Sequence, residues 1–368
     1  MNLIQKALLA LLLAMLLPKS AGAENVSFAR GVNVLYYGSN AEDTKGITQL
    51  LDTLAEMNVD TILLTYPLYI DDWRGSTIRE VHDADDTNPN GDTPTADEME
   101  AFVKPAIAAG FNVMLRPLID EQKLSQTGPG DAWRGLYQPG DPDQFFGDLT
   151  TILNDTAAMA AKLGVSWIVI GSELNSLEKS IYNYYWETII RTMRDTIGDA
   201  GVSLTYAQNW DTGMYLGFPT WLNLLDGVAI DAYFPAYGTD GASSAADVAS
   251  ALTQWTSNLQ SLRNQAPGKP LFVTEAGVAS QDSDPNVLNQ PWSWPNANLP
   301  VDTAIQALYV DGACQFFRTT MARDGSQMVA GLFWWETTIG HSEDPLNDVS
   351  FDFVGKPSAE RIADCYAE

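Results

Sequence analysis

Eight short apolar runs alternate with helix-compatible segments along most of this chain, and no other feature restricts its fold as strongly. Several runs are apolar at successive positions, which is typical of parallel strands buried on both faces. A strand followed by a helix, repeated eight times, predicts an α/β fold, a (β/α)8 TIM barrel in a single domain. A doubly wound sheet is the alternative, but no glycine-rich phosphate-binding turn follows the first run. The predicted strands are Ala29–Leu35, Thr61–Tyr66, Asn112–Leu118, Ser166–Gly171, Val202–Ala207, Val228–Ala232, Pro270–Thr274 and Val329–Trp334.

The start of the chain has the features of an export signal. Lys6 precedes an apolar run from Ala7 to Leu17, and the small residues at 21–23 have the spacing that a signal peptidase recognises. The run is too short to span a bilayer comfortably. We therefore predict a signal peptide over residues 1–23, a barrel domain over residues 24–368, and a secreted or periplasmic protein.

The chain is strongly acidic, with a formal net charge of −27. Such a charge argues against nucleic acid or an anionic membrane as partner, and it disfavours polyanionic substrates. A neutral polymer fits the charge better.

The two cysteines, Cys314 and Cys365, lie in helix-like stretches. Export permits a disulfide between them, because disulfides persist in oxidising compartments. Two buried free thiols are the alternative, and the sequence leaves both open.

The sequence gives little support for a bound metal. Its two histidines, His82 and His341, have no Cys or His nearby, so zinc chemistry is not expected. The acidic loop from His82 to Asp92 alternates Asp and Asn oxygens that could bind calcium, but the glutamate that closes a calcium-binding loop is not at its required place. We expect instead a solvated loop that leads into a helix capped by Thr95.

Two glutamates stand where an apolar strand ends. Glu173, in "WIVIGSELNS", closes the fourth strand, and Glu275, in "PLFVTEAGVAS", closes the seventh. In a barrel both would reach the rim at the carboxyl ends of the strands, where active sites lie. Hydrolysis of a glycosidic bond with retention needs one carboxylic acid and one carboxylate nucleophile, roughly 5–5.5 Å apart. An ionised nucleophile would also raise the pKa of its neighbour and keep the acid protonated.

Long polar loops follow the second, third and seventh predicted strands, at Asp71–Thr95, Asp120–Asp143 and Ser280–Pro300. In a barrel these loops surround the substrate site. Exposed tryptophans at such a rim are costly unless they stack, and sugar rings offer apolar faces for stacking. The tryptophans in these loops are Trp73, Trp133, Trp292 and Trp294.

Several longer strings point to one enzyme family. They occur in order along nearly the whole chain after residue 24: "AWRGLYQP" (132–139), "IGSELNS" (170–176), "YAQNWD" (206–211), "LDGVAIDAYFP" (225–235), "FVTEAGVAS" (272–280), "QPWSW" (290–294), "GLFWWE" (331–336) and "GKPSAERI" (355–362). With them the sequence resembles glycoside hydrolase family 113, a family of retaining β-mannanases with TIM-barrel folds.

The resemblance implies a role for individual residues. Glu173 would be the acid/base, Glu275 the nucleophile, and Tyr233 would hydrogen-bond the nucleophile and hold it ionised. Further substrate-binding residues implied by the resemblance are Asn209 and Trp210 from the fifth strand, Trp334 or Trp335 from the eighth, Arg116 from the third, and Trp133 and Trp292 from the loops. Because neighbours in a strand alternate in facing, we expect one of Trp334 and Trp335 to pack outward.

Three positions qualify this assignment. Ser172 stands where many related barrel enzymes have an asparagine that contacts the sugar 2-hydroxyl, so this contact must come from elsewhere. Val278 stands where family members often have an aromatic residue. Arg116 could pair with Asp120 or Glu121 instead of binding sugar.

The sequence therefore predicts an exported, monomeric hydrolase that cleaves β-1,4-mannosidic bonds in mannan or manno-oligosaccharides. No cofactor is expected, because acid, nucleophile and water complete the reaction. One alternative is a retaining hydrolase of another neutral β-glycan, such as a glucan, a galactan or a marine polysaccharide. A catalytically silent sugar-binding barrel and a purely structural exported protein are the alternatives from other classes.

Overall fold

Eight parallel strands close into a barrel, as the alternating pattern predicts. The computed structural model describes residues 28–82, 91–130, 132–212, 217–238 and 244–367. The predicted signal peptide and most of the acidic loop after His82 lie outside these residues. Each strand pairs with the next, and the last pairs with the first. The strands are β1 (Ala29–Leu35), β2 (Thr61–Ile70), β3 (Asn112–Ile119), β4 (Trp167–Ser172), β5 (Ser203–Asn209), β6 (Val228–Asp231), β7 (Leu271–Ala276) and β8 (Gly331–Thr338).

Helices connect most of the strands and pack around the barrel. They are α1 (Thr44–Glu56), α2 (Ala96–Ala108), α3 (Gln122–Thr127), α4 (Pro142–Leu163), α5 (Asn183–Ile197), α6 (Ala245–Leu252), α7 (Thr256–Arg263), α8 (Thr303–Thr319) and α9 (Pro357–Ala367). In the fifth connection the described residues include a 3-10 helix, Thr220–Leu224. A two-residue strand, Ile78–Arg79, pairs antiparallel with the end of β2. Thr95 caps α2 as predicted, by accepting the Glu98 N–H.

The barrel interior is layered because side chains alternate along each strand. Its lower layer is an apolar cluster contributed by β2 to β8: Leu63, Met114, Val169, Ala207, Ala229, Phe272 and Phe333. At the same level of the barrel, β1 contributes Gly31, where a Cβ atom would lie 2.1 Å from the Phe333 ring. Glycine at that position therefore makes room for a phenylalanine inside the barrel. Two residues further along several strands, the inward side chains become polar.

Three strands carry one extra residue near their carboxyl ends. From Val169 to Ser172 strand β4 advances three residues while β5 advances two. Strand β7 has the same irregularity before Glu275, and strand β8 has it between Trp334 and Thr337. An extra residue re-aims the side chains that follow it. It thus allows two consecutive residues of one strand to face the interior.

A disulfide joins two helices at the outside of the barrel. Cys314 of α8 is bonded to Cys365 of α9. This bond decides between the two possibilities that the sequence left open. Within the part of the chain that the structure describes, no group of His, Cys, Asp and Glu side chains is arranged to hold a metal ion. Among the same residues, no helix has the length and apolar character that crossing a bilayer requires.

Candidate active site

Glu173 lies at the carboxyl end of β4 in an unusual backbone conformation. Its φ of 56° is in the left-handed region, which non-glycine residues rarely adopt and which is enriched at active sites. The side chain is 8 % exposed and accepts a hydrogen bond of 3.0 Å from Asn209 Nδ2. Arg134 Nη1 lies 3.9 Å from its other carboxyl oxygen. The backbone therefore holds one carboxyl group at the mouth of the barrel.

A buried hydrogen-bond chain fixes the turn after Glu173. The Leu174 N–H donates to the Tyr206 hydroxyl over 2.9 Å, and this hydroxyl donates to Glu178 Oε1 over 2.7 Å. Both Tyr206 and Glu178 are buried. Because a left-handed residue is costly unless its surroundings determine it, these contacts stabilise the conformation that directs Glu173 into the cleft.

Glu275, near the end of β7, is held by two partners. Arg116 Nη1 lies 2.6 Å from Glu275 Oε1, and the Tyr233 hydroxyl donates to Glu275 Oε2 over 2.7 Å. The hydrogen bond from Tyr233 is the one that the family resemblance implies. Next along the chain, a Cβ atom on Gly277 would lie 2.5 Å from the Trp335 carbonyl oxygen, so glycine is required for β7 and β8 to meet here.

Arg116 is not where the resemblance placed it. It is completely buried and lies beneath the cleft, where it cannot contact a sugar. Its guanidinium donates to Asn33 Oδ1 over 2.7 Å and to Thr65 Oγ1 over 3.1 Å. It also lies 3.6 Å from Asp231, and neither Asp120 nor Glu121 is its ion-pair partner. The prediction of a sugar contact is wrong, because this inward-facing β3 side chain lies below the cleft and has no exposed surface.

Asp231, the last residue of β6, is a buried carboxyl that the sequence analysis did not single out. It accepts hydrogen bonds from Ser172 Oγ over 2.5 Å and from Thr274 Oγ1 over 2.9 Å. Ser172 therefore points to a carboxylate and not to a sugar hydroxyl. Burial raises the pKa of Asp231 to about 7, with a further contribution from Glu275 and opposition from Arg116.

Electrostatics raise the pKa of the Glu173 carboxyl. Burial raises the pKa of Glu173 well above the usual range of a glutamic acid, and the negative charge of Asp231 raises it further. The Arg134 guanidinium acts in the opposite direction, and Glu275 again raises it. A raised pKa favours the protonated form of Glu173, which a proton donor requires.

The two glutamates line one open cleft with a volume of about 1020 Å³. This volume lies at the upper end of the range of roughly 300–1,000 Å³ that holds one small ligand. One wall is rich in tryptophan: Trp210 and Trp292 stack with ring centroids 5.1 Å apart and an interplanar angle of 13°. Trp294 is 70 % exposed at the edge of the same wall. Trp133 and Trp335 also line the cleft, as predicted.

Two tryptophans that the sequence analysis singled out lie elsewhere. Trp334 is only 1 % exposed and belongs to the main apolar core between barrel and helices, so of the β8 pair only Trp335 is available to substrate. The Arg116 guanidinium faces the Trp335 ring at 5.3 Å from the ring centroid and makes a cation–π contact with it. Trp73 packs edge-on against Tyr137, away from the cleft.

Sequence reasoning missed one cleft residue that its own criterion could have found. Glu336 lines the cleft at the end of β8, directly after Trp335. Like Glu173 and Glu275, it is a glutamate placed where an apolar strand run ends. Burial raises its pKa to about 8, with further contributions from Glu275 and Asp352 and an opposing one from Arg116.

Paired carboxyl groups at the carboxyl ends of β4 and β7, in a tryptophan-lined cleft of a TIM barrel, define a glycoside hydrolase. Comparison with known proteins agrees. The sequence model of Glycoside Hydrolase Family 113 matches residues 38–356, and the chain belongs to this family. A search of curated proteins gave no match.

Solved structures agree on the fold. A GH113 β-1,4-mannanase is similar at a TM-score of 0.72 and 17 % identity, over 93 % of this chain and 99 % of that one. The GH113 β-mannanase AaManA from Alicyclobacillus acidocaldarius, in complex with ManMIm, has a TM-score of 0.72 and 19 % identity, over 93 % and 97 %. A GH5_18 protein from Streptomyces cattleya, in complex with GlcNAc, is more distant, with a TM-score of 0.57 and 13 % identity over 93 % and 80 %.

Replacing Tyr206 by phenylalanine tests whether its hydroxyl positions the acid/base. Tyr206→Phe keeps the ring but leaves the Leu174 N–H and the Glu178 carboxyl without this partner. We expect kcat/KM to fall about 10-fold or more on substrates with poor leaving groups, which need the proton, and much less on activated aryl glycosides. Tyr366→Phe is the control, because it removes a buried hydroxyl bonded to Gly31 and Leu332 at the opposite end of the barrel. Equal losses on both kinds of substrate would contradict a positioning role.

The pH dependence of Arg134→Gln tests the electrostatic assignment of Glu173. The Arg134 guanidinium lowers the pKa of Glu173, so its removal should raise that pKa. Because catalysis needs the protonated acid, the alkaline limb of the kcat/KM profile should move to higher pH. Arg79→Gln, at an exposed arginine paired with Asp71, should leave the limb in place. A shift of the Arg134→Gln limb to lower pH would show that another group controls it.

Proposed function

We propose that this protein hydrolyses β-1,4-mannosidic bonds in mannan or manno-oligosaccharides, with retention of configuration at the anomeric carbon. The observation that carries the proposal is the placement of Glu173 and Glu275 in one cleft with opposite electrostatic environments. Glu173 has a raised pKa, while Glu275 faces the Arg116 guanidinium. Membership of family 113 and the fold shared with two GH113 β-mannanases support mannan as the substrate.

The first chemical step forms a covalent intermediate. A Glu275 oxygen attacks the anomeric carbon of the bound sugar while the bond to the leaving oxygen breaks. Glu173 gives its proton to that oxygen, so the shortened glycan leaves as a neutral alcohol. Arg116 and Tyr233 orient the attacking carboxylate through their contacts with its two oxygens.

The second step returns the enzyme to its starting state. Glu173, now a carboxylate, takes a proton from water, and the resulting hydroxide attacks the anomeric carbon from the face that the leaving group vacated. The bond to Glu275 breaks, and two inversions give net retention. Asn209 holds Glu173 in both steps because its amide N–H donates to Glu173 Oε1. We further propose that the chain acts outside the cytoplasm, on polymer that reaches the cleft.

Tryptophan stacking supports a polymeric substrate. A sugar ring has one face lined by C–H groups, which packs against an indole ring. The stacked Trp210 and Trp292 and the exposed Trp294 extend the cleft wall beyond the two glutamates. Such a wall offers contacts to sugar units on either side of the bond being cleaved.

The roles of the two glutamates are tested by substitution. Glu173→Ala and Glu275→Ala should each remain folded and lose at least about 10³-fold of the activity on mannan. Azide, a small nucleophile, should restore part of the turnover on activated aryl glycosides. With Glu173→Ala its product should keep the configuration of the substrate, and with Glu275→Ala the configuration should be inverted. Glu56→Ala, at an exposed residue of α1, is the matched control. Near-normal turnover in either active-site variant would remove that residue from its role.

The substrate and the stereochemistry need separate measurements. A panel of mannan, β-glucans and β-galactans, assayed by release of reducing ends, should give the highest kcat/KM with mannan. NMR spectroscopy during the first minutes should find the β-anomer as the initial product. Preference for another glycan would replace the substrate but leave the mechanism, whereas an initial α-anomer would exclude the covalent intermediate.

A further inference from the structure

A third glutamate enters the cleft beside the nucleophile. The extra residue in β8 allows both Trp335 and Glu336 to face the cleft, although they are neighbours in one strand. Glu336 is half-buried, and its Oε2 atom is fully enclosed. Among the residues that the structure describes, no group forms a hydrogen bond with this atom. Buried polar atoms normally have a partner, because an unpaired one is costly.

Other cleft carboxyl groups have partners that explain their presence. Glu121 forms an ion pair of 2.7 Å with Arg134, and Glu275 is held by Arg116. Asp231, below the cleft, accepts hydrogen bonds from two hydroxyls. Glu336 differs from all three. Within the described part of the chain, the half-buried Glu336 side chain lines the cleft without a hydrogen-bond or ion-pair partner, and a purely structural role does not account for that.

The groups around Glu336 are mostly acidic. Glu275 of β7 and Asp352 of the segment after β8 both raise its pKa, and Arg116 of β3 lowers it. Burial raises the pKa of Tyr37, which follows β1, to about 12, and the nearby charges of Glu336 and Asp120 add to this rise. With a pKa near 8, the Glu336 carboxyl carries a proton at neutral pH and can both donate and accept a hydrogen bond. A sugar hydroxyl has the same double capacity.

The order of strands places Glu336 on the side of the sugar that stays with the enzyme. Along the rim, Glu173 on β4 precedes Asn209 on β5, Tyr233 on β6 and Glu275 on β7. Glu336, on β8, lies on the other side of the nucleophile from the acid. The leaving group departs where Glu173 delivers the proton. A residue beyond Glu275 therefore faces the glycone, the part of the substrate that becomes attached to Glu275.

We propose that Glu336 is a specificity-determining residue that hydrogen-bonds a hydroxyl group of the glycone. This inference rests on the proposed function, because it requires that Glu275 be the nucleophile of a glycoside hydrolase. A site built to pair with one hydroxyl rejects a sugar that lacks this hydroxyl, because the half-buried Glu336 carboxyl is then left without a partner. Glu336 thus contributes to the choice among neutral sugars, which Glu173 and Glu275 alone do not make.

A cycle of enzyme variants and deoxy substrates tests the proposal. Wild type, Glu336→Ala and Glu336→Gln are assayed with an activated aryl β-mannoside and with its four mono-deoxy analogues, at positions 2, 3, 4 and 6. On the parent substrate, Glu336→Ala should lower kcat/KM about 10- to 100-fold. Glu336→Gln, which keeps a donor and an acceptor, should lose less. On one deoxy analogue, the kcat/KM values of wild type and Glu336→Ala should agree within about 3-fold. Neither enzyme can make the hydrogen bond to that analogue, because the sugar lacks the partner hydroxyl.

The outcomes separate this proposal from a structural role and from the proposed function. An equal loss on every deoxy analogue would mean that Glu336 only supports the fold of the cleft, and no loss on the parent would mean that it binds nothing; either result overturns the proposal. Glu343→Ala, at an exposed residue after β8, is the matched control, with thermal unfolding to compare stability. If wild type cleaves aryl β-glucosides or β-galactosides but not mannosides, mannan is excluded and the cycle is run on the series that is cleaved. If neither mannan nor any aryl series is cleaved, both proposals fail.

Discussion

The buried contact between Arg116 and Glu275 is the interaction on which the rest of the site depends. A guanidinium at the centre of a barrel is costly unless charge and hydrogen bonds compensate it, and here Asn33 and Thr65 each accept a hydrogen bond from another of its nitrogens. Its positive charge permits two buried carboxyl groups, Glu275 and Asp231, to lie at paired positions of neighbouring strands. One cation facing two acidic groups leaves an excess of negative potential. Burial, together with that excess, raises the pKa of Glu173, as the proposed division of roles between Glu173 and Glu275 requires.

Irregularities in three strands concentrate chemistry at one end of the barrel. Strict alternation would direct only every second residue inward, so that a strand could contribute either Thr274 or Glu275, but not both. The extra residue in β7 lets Thr274 support Asp231 while Glu275 reaches the cleft. Strand β4 likewise contributes Ser172 and Glu173, and β8 contributes Trp335 and Glu336. Glu173, Glu275 and Glu336 therefore all lie at the end of a bulged strand. The lower, apolar layer keeps regular pairing and carries the packing.

These bulges also mark the limit of what the sequence could predict. Apolar runs gave all eight strands with bounds within a few residues, because burial of both faces is visible in composition. The ends of β4 and β7 gave Glu173 and Glu275, since a charged residue that closes an apolar run stands out. The depth of Arg116 could not be read from its place in a strand, because it faces the barrel interior as expected but lies below the cleft, among side chains of neighbouring strands. For the β8 pair, the expectation that one tryptophan packs outward is confirmed, and Trp334 is the one. The Tyr206–Glu178 chain was invisible because its members lie on different elements and meet only in the folded barrel.

Charge in the cleft restricts the substrate more than its shape does. Six carboxyl groups line it, from Asp120, Glu121, Glu173, Asp211, Glu275 and Glu336, and Arg134 is the one basic side chain among the lining residues that the structure describes. Arg134 is itself paired with Glu121, so little positive charge is offered to a ligand. An anionic polysaccharide would meet repulsion from the ionised carboxyl groups of a partly desolvated cleft, where charges interact more strongly than in water. A neutral glycan avoids this cost, can pack its apolar faces on Trp210, Trp292 and Trp294, and can direct its hydroxyls to the acidic wall. The cleft thus imposes locally the same preference that the net charge of −27 imposes at long range.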